Sequence, residues 1–265
     1  MQDKQILYND RKLAYSVAGS GKAVVLVHGF GEDGSIWQQQ VQALQNAFKV
    51  IVPQLPGSGA SDLQQDMSME GLAESVKAIL DAEGITECAM IGHSMGGYVT
   101  LAFAEKFERK LRGFGLFHST AFADSEEKKA TRQKGIEFIK QNGAYAFLKT
   151  TLPNLYSPAT KETTPALLQQ HLQAVDYFTP EALIQYYQAM MARPDRTEVL
   201  KQTTLPVLFV LGKWDAAVPP EDGWKQCYLP QKSYIHMLDG SGHMGMIEEA
   251  EKSNQLLLHY LTQTL

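Results

Sequence analysis

The chain opens with two stretches in which apolar and polar positions alternate, Gln5–Tyr8 and Leu13–Ala18, set apart by the turn pair Asn9-Asp10. That alternation predicts an antiparallel hairpin. Beyond Gly19-Ser20-Gly21 the pattern changes. Ala23–Val27 is apolar at every position, as expected of a parallel strand covered on both faces. Lys49–Val52, Cys88–Ile91, Leu111–Phe117, Val207–Leu211 and Tyr234–Leu238 read as further short strands. Helical spacing appears between them. Ile36–Ala47 puts Trp37, Val41 and Leu44 on one face, with Asp33 or Ser35 as caps. Ser68–Ala82 follows, then a helix after Ile91 carrying Tyr98, Leu101, Ala102 and Phe107, and Met246–Leu261 ends the series. Strands alternating with helices in this way predict an α/β fold around a parallel sheet.

The rhythm stops between Ala121 and Gln202. Only helical patterns occur there, over Glu126–Gln141, Ala144–Thr150, Pro165–Val175 and Pro180–Ala192, punctuated by prolines. The expected organisation is one sheet domain formed by residues 1–120 and 203–265, interrupted by a helical insertion over residues 121–202.

Composition narrows the function. A chain of 265 residues with 44% hydrophobic content is an ordinary globular protein. A net charge of −5 gives no reason to expect nucleic acid or an anionic membrane surface. No run approaches the roughly 20 apolar residues a membrane span needs. Cys88 and Cys227 are too few and too far apart for a disulfide framework, and Met1–Gln5 lacks an export signal, so the expected location is cytoplasmic. No sequence spacing suggests a metal site or a nucleotide-phosphate loop, so no metal and no cofactor are expected. The run Glu126-Glu127-Lys128-Lys129 reads as a solvated helix face.

The chemistry centres on Gly92-His93-Ser94-Met95-Gly96-Gly97, set between a hydrophobic strand and a periodic helix. A strand that turns straight into a helix leaves a serine at the corner strained and exposed, and glycines two residues to either side relieve the crowding. The helix behind it offers free N–H groups to a developing oxyanion. A serine hydroxyl needs a positioned base, and the base needs an orienting acid. In a parallel sheet these belong on loops at the carboxyl ends of strands. After Val207–Leu211 the first carboxylate is Asp215; after Tyr234–Leu238 comes Asp239-Gly240-Ser241-Gly242-His243. Among the seven histidines, His243 alone lies on a Gly-flanked loop after the last strand and is the expected base. His28 reads as structural, His93 as too cramped to turn back, His118 as core or pocket wall, and His171, His236 and His259 as packing or surface. Asp215 is the expected acid, with Asp124 and Asp239 as rivals. The oxyanion donors are expected to be the backbone N–H groups of Met95 and of Phe30, in the loop after Val27.

With these residues placed, the chain resembles the α/β-hydrolase superfamily over nearly its whole length. The matching pieces are His28-Gly29-Phe30-Gly31, Pro56-Gly57-Ser58-Gly59-x-Ser61, Gly92-His93-Ser94-Met95-Gly96-Gly97, Gly212-x-x-Asp215 and Gly242-His243-Met244. More weakly, Ser119–Arg132 and Ala189–Arg196 are similar to small capped carboxylesterases and enol-lactonases. The resemblance implies a core of about eight strands, the second antiparallel, with a helical cap inserted after the sixth. Gln54 departs from the pattern where many relatives carry an Asp that organises a loop. A serine nucleophile also sets the chain apart from the dehalogenase branch.

The insertion is rich in large apolar side chains, which points to an apolar pocket roof. Phe122, Tyr145, Phe147, Tyr186 and Met190, together with His118, are the expected pocket residues. Arg132, Arg193 and Arg196 are each a possible carboxylate clamp, but no basic cluster suits a strongly anionic substrate. The expected activity is hydrolysis of a carboxylic ester or lactone of a small to medium, largely apolar acyl substrate, by a monomer or homodimer. The same residues would also serve a C–C bond hydrolase, a thioesterase, a perhydrolase or a slow ligand sensor.

Overall fold

Asn9 and Asp10 both adopt positive φ, 51° and 61°, the conformation of a tight hairpin turn matched to strand twist. They fold β1 (Gln2–Tyr8) onto β2 (Arg11–Ala18) in the computed structural model, which describes residues 1–265. The remaining strands are β3 (Ala23–Val27), β4 (Lys49–Pro53), β5 (Cys88–His93), β6 (Leu111–Phe117), β7 (Val207–Gly212) and β8 (Ser233–Leu238). They form one eight-stranded sheet in the order β1-β2-β4-β3-β5-β6-β7-β8. β2 runs antiparallel to both its neighbours, and β3 to β8 are parallel. Burial follows position. β3, β5 and β7 are buried at every residue, whereas the edge strand β1 alternates. Alternation in the sequence therefore survives only where one face meets solvent.

Helices cover both faces. α1 (Gln38–Leu44), α2 (Met69–Ala82) and α3 (Met95–Phe107) follow β3, β4 and β5. Between β6 and β7 lie α4 (Glu126–Asn142), α5 (Ala144–Thr151), α6 (Pro158–Thr163), α7 (Pro165–Ala174), α8 (Pro180–Ala192) and α9 (Thr197–Gln202). α10 (Pro220–Trp224) precedes β8, and α11 (Gly245–Glu248) and α12 (Ala250–Thr264) follow it. α1 packs on α12 and α2 on α3. The short helices α6, α9 and α10 escape the sequence pattern because so few turns carry no readable period.

Two predicted helices are broken. The first begins as a 3₁₀ turn, Gly34–Trp37, capped by Asp33, before α1 proper. The last is interrupted at Glu249, whose backbone leaves helical geometry (φ −128°, ψ 54°). The break has a purpose in the packing. Glu249 Oε2 accepts from Gly240 N–H and Ser241 Oγ, and Glu248 Oε1 accepts from Gly242 N–H, so both acids hold the loop before α11.

Packing leaves no room for a side chain at Gly92 or Gly96, where β5 turns into α3. A Cβ on Gly92 would stand 2.1 Å from the Gly96 carbonyl oxygen, and one on Gly96 would stand 2.5 Å from the carbonyl oxygens of Val27 and His28. Gly92 thus makes room for the turn itself, and Gly96 for the end of β3. All three obstacles are backbone and cannot swing aside. Gly92→Ala is expected to cost about 3 kcal/mol or more, at the upper end of overpacking penalties, seen as a lowered midpoint in urea unfolding.

Candidate active site

Ser94 sits at the β5–α3 corner with φ 51° and ψ −117°. For a non-glycine residue this backbone costs on the order of 1–2 kcal/mol. Its surroundings impose it: Ser94 N–H donates to Phe117 O at 3.0 Å, and Ser119 Oγ donates to Ser94 O at 2.7 Å. Ser94 is half-buried, while its neighbours on both sides in β5 and α3 are fully buried. Its Oγ bonds to nothing else in the protein and faces a cavity of about 460 Å³ that His243 also lines.

His243 and Asp215 meet at the ends of β8 and β7. His243 Nδ1–H donates to Asp215 Oδ2 at 2.7 Å, and Asp215 Oδ1 accepts from Ala217 and Val218 N–H at 2.9 and 2.8 Å. Burial alone would raise the Asp215 carboxyl, but His243 and His118 beside it hold it well below the carboxylate range. Burial would likewise lower His243, yet the Asp215 charge leaves it above its ordinary 6.5. The rival acids lie elsewhere. Asp124 pairs with Arg132 at 2.6 Å and Arg193 at 2.9 Å, and Asp239 is exposed.

His118 lies beneath Asp215 rather than in the cavity wall. It is buried, its Nε2 accepts from Gly245 N–H at 3.3 Å, and its Nδ1 stands 3.2 Å from Asp215 Oδ2. This brings His118, Asp215 and His243 together, a grouping with the density of a metal site that no sequence spacing announces. Hydrogen bonding accounts for it instead. Nδ1 of His243 donates to the carboxylate and offers no lone pair to an ion.

The loop after β3 carries Phe30. Its N–H has no hydrogen-bond partner in the protein, and Met95 N–H, first in α3, has no intrahelical acceptor. The Phe30 ring stacks on Tyr187 of α8 at 4.3 Å, which fixes the loop against the insertion. His28 is fully buried, accepting from Leu55 N–H and bonded to Gly29 O. Gln54, where relatives place Asp, still organises a loop, accepting from Gly34 N–H. Glu32 is the residue the sequence reading missed. It is 2% exposed, and its Oε2 accepts from Gly29 N–H at 2.8 Å and His93 Nδ1 at 2.9 Å. His93 Nε2 in turn lies 2.9 Å from His243 O. A carboxylate just past a strand end was the available signal.

Of the expected pocket residues only Met190 lines the cavity. Tyr145 is 45% exposed, Phe147 packs edge-on against Phe30 and Tyr187, and Tyr186 is fully buried with its OH on Pro56 O. Phe122 contributes its carbonyl to Arg193. Helix spacing alone does not separate them: Tyr186 and Tyr187, four and three residues before Met190, share its side of α8, and Tyr186 is drawn out of the wall by packing, with its OH on Pro56 O. The wall is also more polar than expected, including His171, Thr131, Arg132, Glu127 and Lys128, so the charged run in α4 is not all solvated face. Of the three arginines, Arg132 reaches the cavity. Arg193 is buried over Tyr98, and Arg196 pairs with Glu105 and Glu70.

Glu32 titrates in a direction that can be checked. Burial alone would raise it, but the His93 contacts lower it from 4.5 to about 2. A depressed carboxyl stabilises the fold above its unfolded value and loses that contribution as pH falls through its folded value. Glu32→Gln should therefore cost on the order of 3 kcal/mol near neutrality. The gap to the parent should close between pH 4.5 and 2, as measured by urea unfolding at stepped pH.

Residues 24–255 match the model of the alpha/beta hydrolase family. The chain is 28% identical to the pimeloyl-[acyl-carrier protein] methyl ester esterase of Vibrio cholerae, covering 95% of this chain and 98% of that one. It is 26% identical to 3-oxoadipate enol-lactonase 1 of Acinetobacter baylyi, covering 88% and 86%. Among solved structures it superposes on a thermophilic esterase from Thermogutta terrifontis with a TM-score of 0.93 at 29% identity, covering 100% of this chain and 99% of that one. The sheet order, the strand-to-helix corner at Ser94 and these likenesses agree: the chain belongs to the alpha/beta hydrolase family and is a hydrolase.

Proposed function

We propose that this hydrolase cleaves a carboxylic ester or lactone through an acyl-enzyme, with Ser94 as nucleophile, His243 as base and Asp215 as orienting acid. The observation that carries the reading is the 2.7 Å bond from His243 Nδ1–H to Asp215, made at the cavity that Ser94 faces. That bond fixes the tautomer, so His243 presents Nε2 as a lone pair for the Ser94 proton. Ser94 Oγ attacks the carbonyl carbon as its proton passes to His243. The oxyanion is held by Phe30 and Met95 N–H, and the imidazolium gives its proton to the leaving alkoxide. Water deprotonated by His243 then releases the acid. Similarity to an esterase and to an enol-lactonase supports ester or lactone as the bond cleaved.

A fluorophosphonate should label Ser94, and p-nitrophenyl esters from acetate to octanoate should be turned over repeatedly. Ser94→Ala, His243→Ala and Asp215→Asn should each lower kcat by about 10⁴-fold or more, by analogy with the serine-protease triads from which that figure comes. Labelling without turnover would favour a ligand sensor and overturn the reading.

The pH profile gives an independent check. His243 must be neutral to accept a proton, and its value lies above 6.5. The rate kcat/KM should therefore rise with pH through an apparent value above 6.5 and fall away in acid; a rate still flat below pH 6.5 would remove His243 as the base.

A further inference from the structure

We propose that Glu32 and His171 form a polar subsite in the wall of this cavity that takes a hydroxyl group on the acyl part of the substrate. The subsite rests on the ester-hydrolase reading and narrows its substrate to hydroxy-acyl esters. Both side chains line the cavity, and both are buried, at 2% and 7% exposure. Each keeps one polar atom unused. Glu32 spends Oε2 on Gly29 N–H and His93, while Oε1 has no partner within the protein. His171 Nε2 is buried without any partner.

The bonding of His171 decides what its free atom offers. Nδ1 lies 2.7 Å from the OH of Tyr156, which has no other hydrogen bond. If that hydroxyl accepted from Nδ1–H, its own buried proton would be left without an acceptor, a costly arrangement. The Tyr156 OH therefore donates to Nδ1, and the imidazole, kept neutral by burial, carries its proton on Nε2. The two side chains thus leave one donor unpaired, His171 Nε2–H, and one acceptor, Glu32 Oε1, which do not bond to each other. A hydroxyl has the chemistry to serve both, accepting from His171 and donating to the carboxylate. A methylene pressed into the same place leaves both unpaired.

The subsite lies close to the reacting carbon. Glu32 Oε2 and Ser94 Cβ stand 2.8 and 3.1 Å from the point a Cβ on Gly29 would occupy. The Glu32 carboxylate thus stands beside the Ser94 side chain across Gly29, so the test places the hydroxyl on the carbons next to the acyl carbonyl. The cavity also carries Leu148, Leu152, Leu155 and Met190, room for the apolar remainder of the acyl chain.

The test compares methyl butyrate, methyl 2-hydroxybutyrate and methyl 3-hydroxybutyrate by pH-stat, each rate divided by that ester's alkaline hydrolysis rate. The parent enzyme should prefer one hydroxy ester over methyl butyrate by about tenfold or more in kcat/KM. His171→Phe should bring that ratio down to near parity, and His171→Gln, which restores an N–H donor, should recover part of it. No preference in the parent, or the same ratio in His171→Phe, overturns the subsite while leaving the esterase reading standing. If none of the three esters is turned over, the p-nitrophenyl esters decide the esterase reading and binding decides the subsite. Saturation-transfer NMR on Ser94→Ala should then show stronger transfer to a hydroxy ester than to methyl butyrate, lost in Ser94→Ala/His171→Phe. Equal transfer overturns it.

Discussion

The candidate site depends on a steric constraint in the backbone: α3 must start directly under the end of β3. Gly96 lies so close to the Val27 and His28 carbonyls that no side chain fits between them. This closeness sets the start of α3, with its first free N–H at Met95, beside the loop that carries Phe30. Two donors from remote parts of the chain are thereby held by rigid elements on either side of Ser94. The strained φ of Ser94 is a consequence of the same crossing, held by the bonds from its own N–H and to its own carbonyl.

Around this crossing the irregular loops are wound on buried and half-buried acids. Glu32 gathers the loop after β3, Asp215 the loop after β7, and Glu248 with Glu249 the loop after β8. In each case a carboxylate takes backbone N–H groups that have no strand or helix partner. Burying an acid is costly unless it is paired and hydrogen-bonded, and here each is. Asp215 belongs to both systems. It folds its own loop with one oxygen and orients His243 with the other.

The parts of this arrangement legible in the sequence are those fixed by short-range chemistry. Glycines at 92 and 96 report a crossing that excludes side chains, and uniform apolar runs report strands covered on both faces. Once strand ends are known, few carboxylates or imidazoles remain at the right edge, so Asp215 and His243 could be singled out. The cavity wall was not legible, because it depends on how insertion helices are rotated. Tyr186 and Tyr187 are equivalent in a pattern count, yet one is core and the other stacks on Phe30. His171 carries no local signal, since only the docking of α7 brings it to the cavity. The surplus of aromatic residues read as a pocket lining is in good part the insertion's own packing, as Phe147 and Tyr186 show.

The insertion does more than roof the site. Its Leu155 carbonyl accepts from the backbone N–H of His243 at 2.6 Å, and its Tyr187 fixes the Phe30 ring. In the proposed mechanism one contact sets the base and the other an oxyanion donor. A shift of the insertion would therefore disturb proton transfer and oxyanion binding together, not only the shape of the cavity. Residues that select substrate and residues that position the chemistry are carried on the same helices, so a change made for one in α5 to α8 is transmitted to the other through packing. His171 is the exception that makes selectivity separable. It reaches the cavity from α7 through its own bond to Tyr156, with no hydrogen bond to Ser94, His243 or Asp215.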